Sequence, residues 1–91
     1  MPETPRPSRD EFARTIGLAL QRRRVAAGLS QERLAHLAGI STYTYQKFEK
    51  GESKPGTPLN PRLFTLLSLA EALDIGLDDL LPHPWPTPAE D

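Results

Sequence analysis

Residues 30–51, SQERLAHLAGISTYTYQKFEKG, place two short segments of helical apolar spacing on either side of a single glycine. Ser30 is suited to cap the first segment, because its hydroxyl can accept a backbone N–H of the opening turn. Leu34, Ala35 and Ala38 then recur at three- and four-residue intervals and form one apolar face. Gly39 can take the left-handed conformation that ends a helix, and Ile40 enters the turn. Ser41 caps a second helix with Tyr45 and Phe48 on its apolar side, and Gly51 ends it. Two helices joined by so few residues must cross steeply, with the small Ala35 where the second presses close. The pattern is that of a helix-turn-helix.

Outward from this core, the apolar positions Phe12, Ile16, Ala19, Leu20 and Ala27 predict a preceding helix over about residues 9–27, stopped by Gly28. Downstream, Pro55, Pro58 and Pro61 mark a loop. Leu63, Leu66, Leu67, Leu69, Ala70 and Leu73 then predict a helix over about 62–74, and Asp78 to Leu81 a short fifth helical turn. No strand-like alternation is evident. The expected fold is therefore all-α, a compact five-helix bundle over residues 9–81. A flexible arm, residues 1–8, precedes it, with Ser8 as a candidate cap, and a Pro-rich tail, residues 82–91, follows it.

A chain of 91 residues accommodates one small core. Without cysteine there is no disulfide framework and no thiolate nucleophile, and a reducing cytoplasm is the expected setting. The N-terminus lacks the apolar run of a signal peptide, and no stretch is long and apolar enough for a membrane span. The net charge of −1 counts at first sight against a nucleic-acid partner. Its distribution points the other way: residues 1–54 hold ten Lys and Arg against six Asp and Glu, while residues 55–91 hold one Arg against six acids. The helix-turn-helix lies in the basic half, where positive charge can meet phosphate.

The chain resembles the phage-repressor and Cro-like family of helix-turn-helix regulators (Cro/C1-type, XRE) over about residues 12–81. The resemblance rests on Arg24, Gly28-Leu29-Ser30-Gln31, Leu34-Ala35, Gly39, Glu49-Lys50-Gly51, Pro55, Leu69-Ala70-Glu71-Ala72-Leu73 and Asp79-Leu80-Leu81, agreeing in order and spacing. It implies a lambda-repressor-like fold, sequence-specific binding of double-stranded DNA and a role as a transcriptional regulator, a repressor in the first instance. It also implies a homodimer on a palindromic operator with half-sites about 34 Å apart. Ile75, Leu77, Leu80 and Leu81 are the candidate dimer surface. By the same resemblance Arg24 and Glu49 occupy positions that pair across the core. The chain departs from the pattern in about six added residues, Gly56 to Pro61, read as a passive surface loop, and in Arg23, which stands where an aliphatic residue is usual and is expected to snorkel outward.

In a helix-turn-helix the second helix enters the major groove, so its positions turned away from Tyr45 and Phe48 can reach base edges. These are Thr42, Tyr43, Gln46 and Lys47. Gln can pair with adenine, Lys can donate to guanine, and Thr or Tyr can meet a thymine methyl or a phosphate. Gln31, at the positive end of its helix, is a phosphate candidate, as are Ser41, Thr44, Lys50, Lys54 and Arg23. His36 and His83 stand alone, without organised carboxylates, and give no reason to expect a metal, a cofactor or catalysis. Trp85 has three readings: folded over the leucines of the last helices, marking a partner surface, or disordered. The competing functional class is a protein-interaction module, such as an antitoxin or adaptor built on the same fold.

Overall fold

The computed structural model describes residues 6–86. Residues 1–5 of the expected arm and 87–91 of the expected tail lie outside the described residues. Four α-helices run from Arg9 to Ala26 (α1), Gln31 to Ala38 (α2), Thr42 to Lys50 (α3) and Leu63 to Ala72 (α4). A two-stranded antiparallel hairpin of Glu52–Lys54 (β1) and Thr57–Pro58 (β2) separates α3 from α4, and a 3₁₀ turn spans Leu77–Asp79.

Local chemistry sets each helix end. Ser8 caps α1 in a reciprocal box, its Oγ accepting from the Glu11 N–H at 3.1 Å while its own N–H donates to Glu11 Oε1 at 2.9 Å. Ser30 and Ser41 accept the N–H groups of Arg33 and Thr44, each at 3.0 Å. Gly39 ends α2 at φ +76°, which lets the Ile40 N–H reach back to the Ala35 carbonyl at 3.0 Å.

The core joins Ile16 and Leu20 of α1, Leu34 and Ala35 of α2, Tyr45 and Phe48 of α3, and Leu66, Leu69 and Ala70 of α4, with Leu73 and Leu80 closing it. Helix α1 packs on α3, and α2 packs on both α3 and α4. Among the glycines, the tightest approach lies at Gly17, which the apolar spacing does not single out. A Cβ there would stand 2.4 Å from the Glu49 carbonyl oxygen and 2.6 Å from that of Phe48. Gly51 is constrained twice: its φ is +74°, and a Cβ would lie 2.7 Å from the Arg14 Cα.

Several expectations are corrected. Among the described residues the bundle has four α-helices rather than five. Leu73 and Leu80 are both buried, and the chain between them turns through Asp74 at φ 58°, leaving room for a 3₁₀ turn only. The added residues after α3 are no passive loop. Thr57 and Pro58 pair with β1, and the Leu59 N–H donates to the Gly51 carbonyl at 2.9 Å while its side chain packs on the core. A strand too short to alternate leaves no periodic signature, which is why the hairpin escapes the pattern. Ala27 is exposed, because α1 has ended and its N–H closes the helix end. Leu80 is fully buried and so drops out of the expected dimer surface, while Ile75, Leu77 and Leu81 pack against the core and are only partly exposed. An exposed apolar group lies on α4, where Leu63, Phe64 and Leu67 are 57%, 78% and 39% accessible. Trp85 stacks on His83 with ring centroids 4.8 Å apart and is exposed.

These contacts rank three substitutions. Gly17→Ala gains about 1 kcal/mol of helix propensity, but the clash with two backbone carbonyls costs about 3 kcal/mol or more, so the net effect is destabilising. Gly39→Ala meets no neighbour and costs only the left-handed strain, about 1–2 kcal/mol. Gly51→Ala combines strain and clash and is expected to exceed Gly39→Ala clearly. Urea denaturation of the three variants checks the order.

Candidate nucleic-acid interface

Helix α3 presents two different sides because its sequence alternates them at helical spacing. Tyr45 and Phe48 are buried, while Tyr43 and Gln46 are exposed and Thr42 and Lys47 half-exposed. The four side chains expected to reach base edges therefore share the accessible side of the helix. Tyr43 and Lys47, one turn apart, are in contact, the Lys47 ammonium lying 4.5 Å from the centre of the Tyr43 ring. Such a pair restrains a long cation and holds it beside a flat apolar surface.

Beneath this face sits a carboxylate that joins three helices. Arg24 Nε of α1 donates to Glu49 Oε2 at 2.6 Å, and its Nη2 reaches Oε1 at 3.4 Å. Arg24 also donates from Nη1 to the Leu29 carbonyl at 3.0 Å, fixing the α1–α2 connection. Gln31 Nε2 of α2 donates to Glu49 Oε1 at 2.9 Å, and the Tyr45 hydroxyl donates to Oε2. The Arg24 and Glu49 side chains are only 14% and 8% accessible. Burial pushes the Glu49 carboxyl up, but the hydrogen bonds from Arg24, Tyr45 and Gln31 outweigh it and hold it below its ordinary value of 4.5. Burial, reinforced by the hydrogen bond to Glu49, pushes the Tyr45 phenol well above its ordinary range, so it stays a neutral donor.

The remaining candidates divide by what already engages them. The Ser41 hydroxyl accepts the Thr44 N–H and donates to Thr44 Oγ1 at 2.9 Å, which leaves the Thr44 hydroxyl proton free to donate. Lys50 and Lys54 are exposed, Lys54 at the end of β1. Arg23 lies against the 3₁₀ turn, its Nη2 3.6 Å from Asp79 Oδ1, with both side chains nearly half accessible. A phosphate would have to compete with that carboxylate. Among the described residues no three His, Asp or Glu side chains gather as a metal site, and no helix is long and apolar enough to cross a membrane.

Comparison with known proteins agrees with this arrangement. The helix-turn-helix family model HTH_3 matches residues 20–80, the stretch from the second half of α1 to Leu80. The chain belongs to the HTH_3 family. Among solved structures, the restriction-modification controller protein C.AhdI from Aeromonas hydrophila is 38% identical, with TM-score 0.64, over 72% of this chain and 91% of that one. An HTH_3 family transcriptional regulator from Vibrio cholerae is 27% identical, with TM-score 0.69, over 80% of this chain and 38% of that one. The biofilm regulator SinR, solved in complex with DNA, is 25% identical, with TM-score 0.64, over 74% of this chain and 98% of that one. Comparison with curated proteins gives no match.

Within this HTH_3 domain, sequence reasoning singles out Arg24 and Glu49 but misses two members of their network. The Tyr45 hydroxyl is hidden by its role as a core aromatic. Gln31 reads from the sequence as a phosphate ligand alone, although its place one residue after the cap also turns it toward the end of α3. One signal is present in the spacing: Tyr45 and Glu49 are one helical turn apart.

The network sets an acid limit on stability. Because the folded-state value of Glu49 is depressed, its contribution is fully present above about pH 4.5 and is lost as pH falls through the lower folded value. Glu49→Gln leaves the Arg24 charge unpaired and is expected to cost about 3–5 kcal/mol at pH 7. The gap between variant and wild type should narrow as pH falls below 4.5. Urea titrations at several pH values measure it.

Proposed function

We propose that this protein binds double-stranded DNA sequence-specifically as a transcriptional regulator, and that it represses by occupying its operator. The observation that carries the reading is the α2–turn–α3 unit, clamped by Glu49 with Thr42, Tyr43, Gln46 and Lys47 on the open side of α3. In this reading α3 enters the major groove. Lys47 and Gln46 meet base edges, and Thr42 and Tyr43 meet a thymine methyl or the backbone. The backbone N–H groups at the start of α2, the Thr44 hydroxyl, Lys50 and Lys54 face phosphate. Arg23 is left out, since Asp79 already offers it an opposite charge. The DNA complex of SinR and the controller role of C.AhdI, both similar in fold, support this assignment.

A single domain of this kind reads only a few base pairs, so the active form is proposed to be a homodimer on a palindromic operator with half-sites about 34 Å apart. A two-fold interface must be self-complementary, and an uncharged apolar group meets that requirement. Leu63, Phe64 and Leu67 on α4 supply one, in place of the buried Leu80.

Two measurements test the reading. Lys47→Ala is expected to cost about 1–3 kcal/mol on the selected site and relax preference at one position, whereas Lys54→Ala should weaken all sequences alike and lower the salt slope by about one. Equal behaviour of the two variants would remove α3 from the groove. Phe64→Lys should weaken self-association at least about tenfold without loss of folding, as followed by light scattering and circular dichroism. A dimer of undiminished strength would place the interface elsewhere.

A further inference from the structure

The Gln46 amide is engaged by Gln31 rather than free. Gln46 Nε2 donates to Gln31 Oε1 at 3.3 Å, and Gln31 Nε2 donates in turn to Glu49 Oε1 at 2.9 Å. An amide can face a neighbour with either end, and usually only its partners decide which. Here the first link admits no choice. The Glu49 carboxylate, paired with Arg24, has no proton to donate, so Gln31 must turn its NH₂ toward it. The Gln31 carbonyl then faces Gln46, and Gln46 must answer with its own NH₂. A flipped Gln46 would set two carbonyl oxygens against each other.

We propose that Gln31 is a positioning residue for sequence readout, relaying the polarity of Glu49 to Gln46 so that Gln46 offers the groove one carbonyl oxygen and one N–H and thereby selects adenine. This inference rests on the proposed major-groove reading of α3. Adenine presents an N6 amino donor beside an N7 acceptor, which matches an oxygen and one remaining N–H. Cytosine satisfies only the oxygen, through its N4 amino group. Guanine and thymine present only acceptors at these positions, which can take the N–H but leave the carbonyl oxygen without a donor. An unrestrained glutamine could turn its NH₂ outward and donate to both guanine acceptors, whereas the relay leaves a single outward N–H with the carbonyl oxygen fixed beside it, so only adenine satisfies both groups. The Lys47 ammonium, held over Tyr43, stands outside the relay and is free to serve a separate base.

The test compares wild type, Gln46→Ala, Gln31→Met and the double variant by selection from a duplex library, with folding of each checked by urea denaturation. Gln46→Ala identifies the base position that residue 46 reads. The expected result is adenine at that position for wild type. In Gln31→Met the adenine preference over guanine falls about five- to tenfold at that position alone. The double variant should match Gln46→Ala. A DNA-side arm needs no change at residue 31: replacing that adenine with a purine lacking the 6-amino group should cost wild type about tenfold and Gln46→Ala nothing. Three results overturn the relay: guanine or thymine preferred at the position, insensitivity of wild type to the missing amino group, or Gln31→Met weakening every sequence equally, the signature of a phosphate contact. A Gln46→Ala variant with every preference intact overturns the relay together with base reading by Gln46.

Discussion

A carboxylate at residue 49, nearly shut off from water, is the constraint on which the rest of this structure depends. A buried charge is costly unless paired and fully hydrogen-bonded, and Glu49 obtains its partners from three helices. Arg24 fixes α1 to the end of α3, Gln31 fixes the start of α2 to the same point, and Tyr45 braces it within α3. Apolar packing alone would leave these helices some freedom to slide. Directional bonds to one carboxylate remove much of it, because each donor must point at a fixed pair of oxygens.

That clamp requires close approach, and small residues provide it. Gly17 lets α1 lie against the α3 backbone at a distance that a methyl group would forbid, and Gly51 lets the chain leave α3 beside Arg14 and Ala13. The hairpin after α3 then folds over α1 and brings Leu59 onto the core. The outcome is an α3 gripped at its C-terminal end and capped at its N-terminal end, with its polar side unobstructed. Rigidity of this kind is what the proposed base reading requires, since a side chain misplaced by about 1 Å loses much of its discrimination.

Charge and apolar surface are separated in the same way. The basic residues gather in the half of the chain that holds α1 to β1, while the acids of the 3₁₀ turn lie at the other end of the sequence, where Asp79 draws Arg23 toward itself. The uncovered apolar side chains of α4 belong to that acidic half. A small protein of nearly zero net charge thereby keeps one part suited to a polyanion and another suited to a neutral partner.

Much of this is set locally and can be read from residues alone. Serine caps at 30 and 41, the glycine at 39 and the apolar spacing of Leu34, Ala35, Tyr45 and Phe48 specify the helix-turn-helix through interactions within a few residues of one another. The positions of Arg24 and Glu49 are legible by resemblance, and the outward side of α3 follows from its period. Tertiary structure alone decides what depends on neighbours remote in the chain. It sets Gly17 against the α3 backbone and converts the added residues after α3 into a hairpin. It also buries Leu80 while exposing Phe64, and it joins Gln31 to both Glu49 and Gln46. The physical reason is one of range. Caps and periodicity act over one or two turns, whereas burial and side-chain hydrogen bonds between helices depend on where distant backbone segments come to rest, and no local pattern records that.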